Sequence, residues 1–248
     1  MFNESSNPSQ SGPNAGGPLD TTERRIFALK RRLIREATLA ISMLEAALAA
    51  LWTLDAEAAR AVRLSDDNID LEEVQIEQQA YELLALHHPF GRDFRVLVFI
   101  LKVNAELERT ADHASGIAKQ VAKIRDALPD GAPPQWPTAL RELAERVPAL
   151  CHELMRAVLD ENIDAARRLV AADSIIDQLE KRLFEETQDY IRSRGGSDAA
   201  ITVGMLIYRI GRELERVGDL MAGVAEDVVY VATGEIIRHE KRRIRKTA

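Results

Sequence analysis

The feature that most constrains this chain is that it carries one pattern twice, at a constant, gapless spacing of 107 residues. Glu106, Leu107, Glu108, Arg109, Asp112, Gly116, Ala118 and Val121 recur as Glu213, Leu214, Glu215, Arg216, Asp219, Gly223, Ala225 and Val228, eight identities within sixteen positions. Upstream, the heptad-spaced Val62, Ile69, Ile76 and Leu83 map onto Leu169, Ile176, Leu183 and Tyr190. A seven-residue apolar repeat marks a helix with one buried stripe, and no alternating apolar and polar run of strand character appears. Both halves must therefore fold alike, and both must be helical.

Glycine and proline divide each half. Asp20 followed by Glu23 forms a capping pair for a helix from 22 to 53, and Asp55 is placed as the N-cap of a second, running to His87. Pro89 and Gly91 stop that helix, and a third runs from 92 to 127. Pro129, Gly131, Pro133, Pro134 and Pro137 make a linker that cannot be helical. The pattern then restarts: Thr138 caps a helix to 160, Asn162 a second to 194, Gly195 and Gly196 turn the chain, and a third ends at Gly234. Pro148 is expected to kink or restart the fourth helix. The expected fold is all-α, two tandem three-helix up-down-up bundles over 21–128 and 138–234. A disordered tail, 1–20, rich in Asn, Ser, Gly and Pro, precedes them, and a basic tail, 235–248, follows.

With 46% hydrophobic residues the chain can bury a full core. The single cysteine, Cys151, allows no internal disulfide and fits a reducing, cytoplasmic setting. Charges recur too often for the roughly 18 consecutive apolar residues of a membrane-spanning helix. The net charge of −7 argues against a nucleic-acid partner, because six Lys and Arg sit in the last fourteen residues and leave the remainder at −11.

The acids are not scattered. Asp66, Asp70, Glu73 and Glu77 form one stripe on the second helix, repeated as Asp173, Asp177 and Glu180. On the third helix Glu108 and Asp112, repeated as Glu215 and Asp219, flank the apolar line Ile100, Val103, Leu107, Ala111 and Ala114. Like charges four apart cost a helix roughly 0.2–0.5 kcal/mol per pair, so something must compensate. In an antiparallel hairpin, facing residues have numbers with a constant total. Asp66 with Asp112 and Asp70 with Glu108 both give 178, centred on Pro89; Asp173 with Asp219 and Asp177 with Glu215 both give 392, centred on Gly196. Four carboxylates thus converge in each copy, about 30 Å from the turn at about 1.5 Å per residue. Such clusters resist full ionisation without cations, and all-oxygen ligation suits magnesium, manganese or iron. The candidate metal ligands are Asp66, Asp70, Glu108, Asp112, Asp173, Asp177, Glu215 and Asp219. The competing reading is that Arg109, Arg216 or neighbouring basic groups neutralise them as ordinary ion pairs. His113, next to Asp112, offers an extra ligand, but its counterpart is Leu220, and a lone helical histidine is usually structural or exposed.

The segments LKVNAELERTADHA (101–114), YRIGRELERVGDLM (208–221), LLALHHPFGRDFR (83–95) and YVATGE (230–235) resemble the PhoU family of bacterial phosphate-signalling regulators, across residues 22–238. The resemblance implies a cytosolic, non-enzymatic regulator that couples the phosphate-specific ABC transporter to a sensor histidine kinase and restrains the phosphate-starvation response. It also implies homodimers, membrane association only through partners, and binding of iron, zinc, manganese or magnesium through the eight carboxylates named above. The chain departs from the family in having Ala111 where a glycine usually precedes the aspartate, and LIREATLA where the first helix usually contains glycine.

Two other function classes compete. A di-iron carboxylate enzyme would need Glu-x-x-His on two helices, and the sequence has no such spacing. A metal-dependent phosphohydrolase would need clustered histidines or a glycine-rich phosphate loop, and has neither. A metal-free adaptor using the acidic faces to dock a basic partner surface remains the alternative to the metal-binding regulator.

Overall fold

The computed structural model describes residues 21–128 and 132–237. The Asp20 cap, the tail 1–20, Pro129 and Gly131 of the linker, and the basic tail from Arg238 onward lie outside those residues. Six helices follow in order: α1 (Thr21–Thr53), α2 (Ala56–His87), α3 (Arg92–Ala127), α4 (Thr138–Leu159), α5 (Ile163–Ser193) and α6 (Asp198–Thr233). Helices α1 to α3 pack on one another, α4 to α6 do the same, and α3 lies against α6 to join the two bundles. The all-α, duplicated architecture expected from the repeat is the one found. Both heptad stripes, Val62 to Leu83 and Leu169 to Tyr190, are buried.

Local chemistry sets the helix ends. The Asp55 carboxylate accepts from the backbone N–H groups of Glu57 and Ala58, both at 3.0 Å. Asn162 Oδ1 accepts from Ala165 N at 2.9 Å, and Ser197 caps α6 through Ala200 N at 3.3 Å. Each satisfies a donor that a helix N-terminus leaves orphaned. Helix α4 differs from expectation, since Thr138 is its first helical residue and Pro137 occupies the cap position. The missing cap comes from α5, where Glu186 Oε2 accepts from Ala139 N at 2.9 Å. Nor does Pro148 restart the helix, which runs unbroken from Thr138 to Leu159. Its ring is buried in the core, where apolar packing offsets the one backbone hydrogen bond it forfeits.

The two bundles are tied by polar contacts as well as by the α3–α6 seam. Lys102 Nζ donates to Asp227 Oδ1 at 3.0 Å, and Arg95 Nε to the Val231 carbonyl at 3.2 Å. Glu161, at the α4–α5 junction, accepts from Lys30 of α1 at 3.2 Å and from Arg92 of α3. The linker residue Trp136 packs edge-to-face on Trp52 with ring centroids 5.6 Å apart, which anchors the connection at its far end.

His113 makes the most buried of these ties. Its Nδ1 lies 2.7 Å from Glu213 Oε2, with only 17% and 12% of the two side chains exposed. The hydrogen bond from His113 holds the Glu213 carboxyl below its usual range against the opposing effect of burial. A depressed carboxyl contributes stability that is present above its unfolded value and is lost as pH falls through the folded one. Replacing His113 by leucine, the residue its counterpart position carries, is expected to cost about 1–3 kcal/mol at pH 7. In chemical denaturation the difference from wild type should shrink as pH falls below the ordinary carboxylate range; a cost that does not change with pH would rule out the Glu213 carboxylate contact as its source.

Candidate metal centres

The stripes on α2 and α3, and those on α5 and α6, face each other in the register read from the sequence. Asn104 Nδ2 donates to the Glu73 carbonyl across α2 and α3, and Arg212 meets Glu180 across α5 and α6. Both contacts lie within one residue of the expected totals.

In the second bundle Asp173 and Asp177 of α5 and Asp219 of α6 each present a carboxylate oxygen, all within 4.8 Å of one another. Burial pushes the Asp219 carboxyl up to about 6, helped by Glu215, Asp173 and Asp177. Glu215 belongs to the same neighbourhood, but Arg212 Nη1 sits 3.2 Å from its Oε1. Burial raises Glu215 above the usual carboxylate range although Arg212 opposes it.

In the first bundle Asp66, Asp70, Glu108 and Asp112 also confront one another. Burial drives Glu108 up to about 7, with Asp112, Glu73, Asp70 and Asp66 adding to the effect. Asp66 is raised by burial too, and Ser115 stabilises its charged form by a hydrogen bond. These four do not close to the spacing of the second-bundle triad, which among the described residues is the one group that does. The hydroxyl that draws on Asp66 has no equivalent there, because the counterpart of Ser115 is Ala222.

Of the arginines that the sequence offered as neutralising partners, Arg109 turns to Glu106 at 3.3 Å. Arg212, which the repeat gave no reason to single out, is the base that meets the second acidic stripe, at 3.6 Å from Glu180 and 3.2 Å from Glu215. Tyr208 adds a hydrogen bond to Glu180 at 2.5 Å. Glu36 of α1 was also missed. It is fully buried and faces Glu72 and Glu73 of α2 and Glu108 of α3. A signal for it existed, because Glu36 is a charged residue within the buried stripe Leu29, Leu33, Ala40 and Leu44. His113 is a structural residue at the bundle seam, as its unmatched counterpart suggested.

The chemistry of the second-bundle triad is that of a hard cation site: carboxylates on two facing helices, Asp173 half-buried and Asp177 and Asp219 exposed, at spacings a single ion can bridge. The model of the PhoU domain matches this chain twice, over residues 33–121 and 140–228. The chain belongs to the PhoU family. It is 28% identical to the phosphate-specific transport system accessory protein PhoU homolog 1 of Thermotoga maritima over 222 residues, 90% of this chain and 93% of that protein. With the PhoU homolog of Deinococcus radiodurans it shares 31% identity over 173 residues, 70% of this chain and 78% of the relative. Among solved structures, the phosphate transport system regulatory protein PhoU of Streptococcus pneumoniae superposes with a TM-score of 0.78 at 26% identity, over 88% of this chain and 99% of that one. The two PhoU-domain matches stand at the 107-residue spacing of the internal repeat and contain all eight candidate ligands. No helix among the described residues is long and apolar enough to cross a membrane.

Proposed function

We propose that this protein is a regulatory accessory of phosphate uptake that acts by binding partners and not by catalysis. In this reading it works in the cytoplasm, as a homodimer, linking a phosphate-specific ABC transporter to a sensor histidine kinase and restraining the starvation response when phosphate is plentiful. Its membership of the PhoU family and the names of its relatives, which are accessory proteins of phosphate-specific transport, support the biological role. The observation that carries the metal part is the triad Asp173, Asp177 and Asp219, with oxygens within 4.8 Å of one another in a duplicated, register-matched frame. Asp66, Asp70, Glu108 and Asp112 would hold ions in the first bundle, and Asp173, Asp177, Asp219 and Glu215 in the second. Bound iron, zinc, manganese or magnesium would cancel the repulsion within each cluster and brace the facing helices, making the shape of the docking surface depend on the metal.

Elemental analysis of protein purified without chelator tests this reading, comparing wild type with the quadruple change Asp70→Asn, Glu108→Gln, Asp177→Asn, Glu215→Gln. Metal present in wild type and lost from the variant is the expected result. In the native host, the same variant replacing the chromosomal copy should release starvation-gene expression in phosphate-rich medium. Equal, near-zero metal in both proteins, with regulation intact, would leave the acidic faces as a metal-free docking surface.

A further inference from the structure

Helix α2 is apolar on two sides. Val62, Ile69, Ile76 and Leu83 fill the core, while Leu64, Leu71, Val74 and Tyr81 stand 64%, 63%, 47% and 53% exposed on the opposite side. Their spacings of seven, three and seven are those of a coiled-coil seam, so they form one stripe about 26 Å long at about 1.5 Å per residue. The fold does not require them, because their counterparts on α5 are Ala171, Gln178, Lys181 and Gln188. Helix α5 has exposed Ile175 and Phe184, but these lie about two and a half turns apart and so on opposite sides. Phe184 is also partly covered by Tyr208, with ring centroids 5.3 Å apart. An apolar line left in water in one copy only marks a surface that something covers.

Charge identifies the occupant. Residues 64–87 carry seven Asp and Glu and no Lys or Arg, whereas the matching 171–194 mix six acids with four bases. Arg25 and Arg32 of α1 meet Glu82 and Glu72 on one flank; Asp67, Asp70 and Glu77 form no ion pair among the described residues. Asp67 is exposed and lies within the stripe, three residues after Leu64 and four before Leu71. Covering it with apolar groups alone would strand a carboxylate out of water, so the occupant must bring a Lys or Arg to it. A second α2 laid on this face would set carboxylates against carboxylates, and an anionic lipid surface would be repelled. Asp67 and Glu77 are not among the candidate metal ligands, so the face stays negative whether or not a cation is held beside it.

We propose that the outer face of α2 is a docking surface for a basic amphipathic helix of a partner protein. The partner lays apolar side chains spaced i, i+3 or i+4, and i+7 on Leu64, Leu71, Val74 and Tyr81, and sets a Lys or Arg against Asp67. The apolar stripe supplies adhesion, and the carboxylates reject helices that carry acids in the same places. Because α5 lacks the stripe, each chain presents this face once. The inference goes beyond the regulatory reading by giving the chemistry of a partner, and it stands whether or not the facing carboxylates hold metal.

The test is fluorescence anisotropy of a labelled peptide titrated with the full-length protein at low and high salt. The probe is an amphipathic helix of leucine and lysine, about 18 residues long to span the stripe, with leucine at the a and d positions. Its controls are a scrambled peptide of the same composition and the same pattern with glutamate in place of lysine. Wild type is expected to bind the probe, less tightly as salt rises, and to bind neither control. Leu71→Gln with Val74→Lys, the residues α5 uses, is expected to weaken binding about tenfold or more with an unchanged circular dichroism spectrum. Phe90→Ser, an exposed apolar position in the α2–α3 turn and off the stripe, is expected to leave binding unchanged. No binding by wild type, or equal binding by the Leu71 and Val74 variant, would overturn the proposal. So would sedimentation equilibrium showing a wild-type dimer that the same variant loses, because the occupant would then be a second copy of this chain.

Discussion

Stripped of cations, the protein is expected to melt at a clearly lower temperature at pH 8 than at pH 5. Glu36 carries the largest share. Its carboxyl is raised from an ordinary 4.5 to about 8 by burial, then by Glu72 and Glu73, with Arg32 opposing and Glu108 adding. A carboxyl that holds its proton more tightly in the folded state than in the unfolded one favours folding at low pH. That advantage is lost as pH rises from the unfolded value through the folded one. For Glu36 the loss between pH 5 and 8 is on the order of 3 kcal/mol, at about 1.36 kcal/mol per pKa unit. Glu108, raised to about 7, and Asp219, raised to about 6, act in the same sense. Saturating Mn²⁺ should reduce the part that Glu108 and Asp219 contribute, because a cation stabilises the ionised clusters in which they stand, and should leave the Glu36 part. Differential scanning calorimetry of EDTA-treated protein across this range, with and without Mn²⁺, measures it directly. An apo protein that is equally stable at both pH values would mean that the carboxylates sit in water and not in the half-buried seams described above.

The repeat, the helix count and the register were legible in the sequence because each follows from periodicity. Heptad spacing places Ile69 and Ile176 in the core, and a constant residue total across a turn decides which acids meet. Asp55 and Asn162 were readable as caps because their side chains act two or three residues away. What escaped depends on contacts far apart in the chain. The α4 cap comes from Glu186, 47 residues away. The partner of Glu180 and Glu215 is an arginine on α6 with an alanine, Ala105, as its counterpart. Comparing the copies by their identities finds what the duplication kept. The chemistry that separates the two centres lies in the positions where the copies differ: Glu36 against Leu143, Ala105 against Arg212, Leu101 against Tyr208 and Ser115 against Ala222.

The two copies also differ in the packing that holds the second centre in register. Leu183 of α5 is fully buried against Gly211 of α6, so closely that a Cβ added at Gly211 would lie 2.0 Å from Leu183 Cδ2. The first bundle solves this contact differently, with Ile76 and Asn104 at the matching positions and the Asn104 amide donating to the Glu73 carbonyl. Leu183→Ala is expected to cost about 2–5 kcal/mol, because it removes buried methyl groups and leaves a cavity over the glycine backbone. Gly211→Ala alone should cost less. Overpacking against Leu183 costs about 1–3 kcal/mol, but alanine recovers about 1 kcal/mol of helix propensity over glycine. In the double variant the new methyl group enters the space that Leu183 vacated, so the two changes should couple favourably by about 0.5–3 kcal/mol. The double variant is therefore expected to be more stable than Leu183→Ala in urea denaturation, despite carrying one more change. Strictly additive losses would show that Leu183 and Gly211 do not share that space. Because α5 carries Asp173 and Asp177 and α6 carries Asp219, the double variant should also restore whatever cation affinity Leu183→Ala loses by loosening the two helices.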